Sequence, residues 1–191
     1  SEEYDPDNGI ECPANEIADI SPLGALGGLT SLHLDFDAVS DLSPLSALTG
    51  LTELDLGWNE VTDASPLSSL TELTTLNLYG NDVADLAPLS PLAKLTDLRV
   101  SGDSIADLEP LSSLTQLTSL GLSGNSISDL GPLSSLTQLT SLGVISYSVS
   151  DLSPIVSLTA LTWLDFQNTQ VSDLAPLASL TGLTQLYATS N

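Results

Sequence analysis

Apolar side chains recur along this chain with a period of 22 residues, and each period holds two kinds of spacing. The unit reads L-T-x-L-x-L-x-x-N-x-V-S-D-L-S-P-L-x-x-L-T-x. Numbered from its first Leu, it is apolar at positions 1, 4, 6, 11, 14, 17 and 20. Positions 4 and 6 alternate with polar 3 and 5, the two-residue period of a strand with one buried face. At positions 13–17 the stretch D-L-S-P-L predicts a short helical turn, which Asp or Ser caps and whose φ Pro pre-sets. It is too short for an α-helix, so a 3-10 turn is predicted. Eight Leu-Thr-x-Leu segments, starting at Leu29 and ending with the one at Leu183, keep this spacing. So do the aspartates from Asp19 to Asp173 and the prolines from Pro22 to Pro176. A period of this length means a solenoid, because one unit cannot bury its apolar face until a neighbour stacks on it.

The segments Leu117-Thr-Ser-Leu-Gly-Leu-Ser-Gly-Asn125 and Ile127-Ser-Asp-Leu-Gly-Pro-Leu133 carry the pattern in full. It resembles the leucine-rich repeats of the internalin family of bacterial surface proteins, over nearly the whole chain. The resemblance implies an α/β solenoid: a curved, right-handed superhelix with a parallel β-sheet on its concave face and 3-10 turns on its convex face. It also implies a host-receptor or adhesion role, although repeats of this kind carry many roles.

Counting back from Leu29 puts Ile10 at position 4, Cys12 at 6, Asn15 at 9 and Ile17 at 11. The expected organisation is therefore an N-terminal extension over 1–6 and a single repeat domain over 7–191. That domain comprises a degenerate first repeat 7–28, seven full repeats 29–182 and a partial one 183–191. Cys12 then takes the place of a core Leu, as a small, unreactive hydrophobe. The chain begins at Ser1 and stops at Asn191 without an amphipathic cap, which solenoid ends normally need. The expectation is a fragment of a longer protein, or ends that stack on something else, with head-to-tail stacking giving an open filament.

Three polar columns follow from the repeat. Asn at position 9 bonds buried backbone groups of neighbouring turns; the exception is Tyr147, which does not fit that slot, so its ring points out or the solenoid distorts there. Thr at position 2 suggests hydroxyl pairing between adjacent strands. The Asp column needs a magnitude. With turns about 4.8 Å apart, neighbouring carboxylates repel by about 3 kcal/mol at an effective dielectric near 20, and by under about 1 kcal/mol in water. A cap is worth only about 1 kcal/mol, so the column persists only if it is well solvated or bonded to turn amides; capping is the expected role, and a cation-binding stripe is the alternative.

Repetition builds the scaffold, so recognition belongs where exposed positions 3, 5 and 7 vary, with 8 at the margin. Ile145, Tyr147, Trp163, Asp165 and Tyr187 cluster near the C-terminal end. Exposed aromatics around an acid have the composition of an interface hot spot, and they equally suit sugar stacking. His33, Asp55, Trp58, Tyr79 and Arg99 gather near the N-terminal end with Asp35 and Glu53. His33 and Asp55 share position 5 on adjacent strands and should nearly touch. Ser119, Gly121, Ser123, Ser141 and Gly143 lie between the two patches as a floor of small residues.

Charge narrows the partners. Asp and Glu number 25 against Lys94 and Arg99, a net charge of −23. Nucleic acid needs a basic surface and anionic membranes repel this one, so neither is expected. The charge keeps the chain soluble, and adaptation to high salt is the sharper reading. No apolar run approaches the ~18 residues of a membrane span. With Cys12 alone, no intrachain disulfide forms. Nucleophilic catalysis lacks a base beside a nucleophile, and the acid pair Glu53 and Asp55 lies on an open face without a pocket to raise one pKa. One His and one Cys do not make a zinc site, so no metal ligand and no cofactor are expected. The stretch Asp5-Pro-Asp7-Asn8-Gly9-Ile-Glu11 is similar to a calcium loop but departs from the EF-hand pattern; it reads as a polar turn that offers calcium at most a weak site.

Together these readings predict a non-catalytic module, secreted or on the cell surface, whose concave face binds a protein partner carrying basic groups. The alternatives are a subunit stacking into fibres, a carbohydrate-binding face, and a repeat spacer. One consequence is independent of the ligand. Counterions screen the aspartate column, so the melting temperature is expected to rise from low to molar NaCl in thermal scans, and a flat or falling trend contradicts the assigned repulsion.

Overall fold

The structure is a computed structural model describing residues 3–4, 11–12, 16–101, 105–123 and 126–191. Strands β3 (Ser31–His33), β4 (Glu53–Asp55), β5 (Thr75–Leu78), β6 (Asp97–Ser101), β7 (Ser119–Ser123), β8 (Ser141–Ile145), β9 (Trp163–Asp165) and β10 (Gln185–Tyr187) form one parallel sheet in sequence order. Register is kept at 22 residues throughout: Leu54 lies beside Leu76, Leu76 beside Leu98 and Leu142 beside Leu164. A 3-10 turn follows each of β3 to β9, such as Ser43–Ala47 after β3 and Gly131–Ser135 after β7. This is the leucine-rich-repeat solenoid that the periodicity predicts.

Inward Leu, Val and Ile from all seven apolar positions fill a continuous core. Leu45, Leu51, Leu54, Leu56 and Val61, all from one stretch of chain, are wholly buried. Each such side chain contributes about 1.5–3 kcal/mol on leaving water, and each does so only with a neighbouring turn in place. The outermost turns show this: Leu26, Leu174 and Leu186 occupy core positions yet remain about half exposed.

The N-terminal segment differs from the expected parallel first turn. β1 (Glu3–Tyr4) and β2 (Glu11–Cys12) pair antiparallel, with Glu3 opposite Cys12, apart from the eight-stranded sheet. A short connection permits antiparallel pairing, whereas parallel pairing needs a crossover. Ile10, Asn15, the Asp5–Glu11 loop residues before β2, and the side chain of Cys12 lie outside the described residues. From Ile17 on, the chain follows the solenoid: its amide donates to Asp37 Oδ1 (3.1 Å), its carbonyl accepts from Ala38 (3.1 Å), and the turn Ser21–Ala25 follows.

Turn-to-turn polar columns tie the stack together. Asn59 Oδ1 accepts from the Val39 amide (2.8 Å) one turn back, while its Nδ2 donates to the carbonyls of Leu34 and Leu56. Asn81 repeats this toward Val61 and Leu56. Asn191 accepts from both the amide and the hydroxyl of Thr169. At the exceptional turn the Tyr147 ring points out, 75% exposed, and the buried Ser146 reaches inward instead, its hydroxyl donating to Ile127 O (2.8 Å). The Thr hydroxyls do not pair with one another. From Thr52 to Thr184 each donates to the carbonyl of the Thr one turn back, as Thr52 does to Thr30 (2.9 Å) and Thr140 to Thr118 (3.0 Å). The same carbonyl also accepts two amides, Thr52 N and Glu53 N in the case of Thr30. A further column unites the convex side: Ser69, Ser135, Ser157 and Ser179 donate to carbonyls 23 residues earlier.

Each aspartate of the position-13 column, Asp19 to Asp173, accepts from the amide two residues on, at 2.7–2.9 Å. This Asx turn starts the 3-10 segment, a role that the intervening residue, Leu42 for example, does not fill with its own side chain. Where Ser follows two residues on, its hydroxyl and amide together hold the carboxyl below the ordinary range. The hydroxyl leads at Asp19, Asp63 and Asp151, and the amide leads at Asp41.

Two expectations follow. A lowered carboxylate pKa contributes stability above the ordinary value near 4, and that contribution disappears as pH falls through the lower folded values. Replacing Ser21, Ser43, Ser65 and Ser153 together by Ala is therefore expected to lower the melting temperature at pH 6. The gap to the unmodified protein should close as pH falls from the ordinary carboxylate value through the lowered folded ones, and a gap that widens in acid contradicts the assignment. Asn81→Ala leaves the Val61 amide without its acceptor inside the stack, a loss of about 1–3 kcal/mol. Urea unfolding measures it, and a change inside the scatter of exposed-site variants contradicts the column's role.

Candidate functional site

Because positions 4 and 6 point inward, positions 3, 5 and 7 of every strand share the outer face of the sheet. There the side chains line one open trough of about 630 Å³ that runs from Asp35 and Phe36 at one end to Trp163 and Asp165 at the other. The two patches legible in the sequence are its ends. Gly121 and Gly143, beside Ser119, Ser123 and Ser141, form its floor, since two adjacent strands without side chains at position 5 leave the backbone bare.

At the C-terminal end the rings of Trp163 and Tyr187 lie 5.8 Å apart, tilted by 47°. Trp163 covers the bare backbone of Gly143: a Cβ added there would stand 3.4 Å from the indole. Asp165 sits beside the pair with only 8% of its surface exposed. Its Oδ1 accepts from the Gln167 amide and its Oδ2 from Gln167 Nε2, both at 3.0 Å. No cationic partner reaches it among the described residues. Ile145 lines the same stretch. Tyr147 is separate, exposed beyond the end of β8, with its carbonyl accepting from Gln170 Nε2 (2.6 Å).

At the N-terminal end His33 is in register with Asp55. Its Nε2, however, lies 3.1 Å from Ser31 Oγ and 3.5 Å from Glu53 Oε1. Asp55 Oδ1 accepts from the Gly57 amide and from Asn77 Nδ2, both at 2.9 Å. Arg99 projects from β6 with its Nε 3.8 Å from Asp97 Oδ1, both side chains in contact with solvent, so this pair is worth little. Asp35, Asp55 and Asp165 set a negative potential along the trough, and Arg99 is the single cation lining it.

Position 8, at the margin of the outer face, carries a column of its own. Phe36, Trp58, Asn168 and Ser190 all take the left-handed conformation, with φ between 55 and 62°, and Gly80 joins them at 75°. Gly and Asn tolerate that region, whereas an aromatic residue there costs roughly 1–2 kcal/mol. Phe36 and Trp58 offset it by stacking, with ring centroids 6.0 Å apart and 15° between planes, and Tyr79 meets Trp58 edge-on at 5.3 Å. Trp58 lies so close over Gly80 that a Cβ there would fall 2.7 Å from the indole. The signal in the sequence was the alternation of Gly, Asn and Ser with two aromatics in one column. Phe36 lines the trough together with Trp58.

Comparison with known proteins fits this architecture. The family model for leucine-rich repeats, in two copies, matches residues 49–91. The internalin InlF of Listeria monocytogenes superimposes with a TM-score of 0.87 at 37% identity, over 92% of this chain and 52% of that one. The internalin C2 of the same organism gives a TM-score of 0.87 at 33% identity, over 92% of this chain and 78% of that one. A leucine-rich-repeat protein of Leptospira interrogans shares the fold at a TM-score of 0.80 and 24% identity, over 91% and 46%. The chain thus spans about half the length of InlF. No curated protein sequence matches it significantly. Among the described residues no helix is long and apolar enough to cross a membrane.

Proposed function

The chain belongs to the internalin family of leucine-rich-repeat proteins, and from that premise we propose that it is a non-catalytic module that binds a protein partner on its strand face outside the cell. The observation that carries this reading is the Trp163–Tyr187 ring pair beside the nearly buried, cation-free carboxylate of Asp165. Aromatic anchors that need little reordering, grouped around a desolvated charge, are what a binding hot spot requires. Gly143 lets the Trp163 indole close on the strand backbone, and Gly121, over which only the Arg99 stem lies, adds no side chain of its own to the floor beside it. Ile145 extends the apolar contact, and Tyr147 borders it from outside the trough. His33, Asp55, Trp58, Tyr79 and Arg99 contribute a second contact area at the other end. The acids along the trough select a partner with basic groups and speed its encounter.

Apart from Asp165, which Gln167 holds, the carboxyls and the imidazole of this face stand open to water, not in the water-excluded setting that general acid–base catalysis uses. A secreted or surface location and an adhesive role agree with the family, and the charge of −23 agrees with a saline setting.

The test is a binding screen of this chain against extracellular proteins and glycans, at low and at molar salt, with the Trp163→Ala/Tyr187→Ala double variant alongside. The expected result is a protein ligand whose affinity falls at least about 100-fold in the double variant, equivalent to a little under 3 kcal/mol, while the melting curve stays close to the original. Capture of glycans alone overturns the protein-binding reading. A protein ligand that binds the double variant equally well moves the site off the C-terminal end of the trough.

A further inference from the structure

Besides recognising a partner, the N-terminal end of the trough brings together three groups that donate to metals. His33 at the end of β3, Asp35 in the turn that follows it and Asp55 at the end of β4 each present a ligand atom, and these atoms all lie within 4.8 Å of one another. Parallel register places the first and third side by side at position 5, and Asp35 follows His33 by two residues on the same outer face. One His and one Cys make no zinc site on nitrogen and sulphur alone, but here carboxylates from the same and the neighbouring turn join the imidazole.

Two features separate this trio from the many exposed acids of the chain. The first is the imidazole, a nitrogen donor that suits first-row transition metals rather than calcium or magnesium. The second is how the ligands are backed from outside the trio. Ser31 Oγ and Glu53 Oε1 flank His33 Nε2 at 3.1 and 3.5 Å. A histidine that ligates a metal through one nitrogen usually donates its other N–H to a carboxylate, which fixes the tautomer and the ring orientation. The backing at Nε2 thus leaves Nδ1 for an ion. Asp55 is backed likewise: the Gly57 amide and Asn77 Nδ2 both bond to Oδ1, leaving Oδ2 to coordinate. Gly57 is part of that backing, since a Cβ there would stand 2.8 Å from Asn77 Nδ2 and 3.2 Å from Asp55 Oδ1.

We propose that His33, Asp35 and Asp55 bind one first-row transition-metal dication, of the zinc or nickel class, on the outer face of strands β3 and β4. With ligands about 2.1 Å from the ion, adjacent donor atoms stand about 3 Å apart and opposite ones about 4.2 Å. His33 and Asp35 are exposed and Asp55 half-buried, so small side-chain rotations bring the observed spacing into that range. Water completes the coordination sphere on the open side. The ion also offsets the repulsion among Asp35, Asp55 and Glu53. This inference is independent of which partner, if any, the trough binds.

The single histidine makes the experiment direct, because the imidazole nitrogen resonances of the chain come from His33 alone. The probe is ZnCl2 titrated into tag-free protein, followed by imidazole NMR and by calorimetry, with CaCl2 as competitor. The expected result is one saturable Zn2+ per chain that shifts the His33 nitrogen resonances. Affinity should fall by about tenfold or more in each of Asp35→Asn, Asp55→Asn and His33→Ala. It should hold in Cys12→Ser and in Glu72→Gln, a remote acid on the surface. The proposal is overturned if the His33 resonances do not respond in a saturable way, or if the trio variants bind as tightly as the original chain. Loss of binding in Cys12→Ser, or displacement of Zn2+ by an equal concentration of Ca2+, overturns it as well. Melting curves of the metal-free variants establish that each is folded.

Discussion

Every turn of this protein leaves backbone amides and carbonyls pointing along the stack, and the next turn is what satisfies them. A buried amide without an acceptor is costly, so nearly all such groups find partners. Here the partners come in columns. Asn59 and Asn81 serve the amides of Val39 and Val61, the Thr hydroxyls join two backbone amides on each Thr carbonyl, and the serines of the convex side close the other edge. The 22-residue period keeps all columns in step, because one residue gained or lost would turn every inward Leu of a strand outward. The leucine core adds most of the stabilisation, but the columns fix which surfaces meet.

That constraint decides where recognition can occur. Inward positions, the Asn slot and the Asp at each turn are committed to the stack, and the outer positions of the strands are left to vary. The division is not absolute. Asp55, Asn77 and Asp165, all outer-face residues, also accept from the amide two residues on, so they close the strand end while their remaining atoms face the trough. Trp58 shows the same dual character. It holds a left-handed backbone that suits Gly or Asn, lies against Gly80, and still presents its indole to the open face.

The repeating part of the fold was legible because periodicity alone specifies it: the alternation around Leu54 or Leu120 gives a strand, and D-L-S-P-L gives the 3-10 turn with its Asp. What escaped depends on distance across strands. The patches around His33 and Trp163 are far apart in the chain, and their union into one trough hinges on missing side chains at Gly121 and Gly143. The hydrogen-bond targets also escaped. Residue type shows that Thr can donate, but only the register shows that a carbonyl, rather than another hydroxyl, lies in reach. Tyr147 was correctly out of place in its column, and the substitution of the neighbouring Ser146 for it needed coordinates. At the N-terminus the pairing of Glu11–Cys12 with Glu3–Tyr4 replaced the parallel strand expected from spacing, since a local hairpin competes where the repeat has degenerated.

Hydrogen exchange resolved amide by amide tests most directly whether the turn-to-turn columns hold the solenoid together. The amides of Val39 and Val61, which donate to Asn59 and Asn81, and those of Thr74, Thr96, Thr118 and Thr140 run along the stack. If neighbouring turns satisfy one another as described, these interior amides exchange only through cooperative opening, with closely similar and large protection, while the outermost turns exchange sooner. Exchange of the Val61 amide at the rate of an exposed loop amide, or protection that differs widely and independently from one interior turn to the next, would contradict the account.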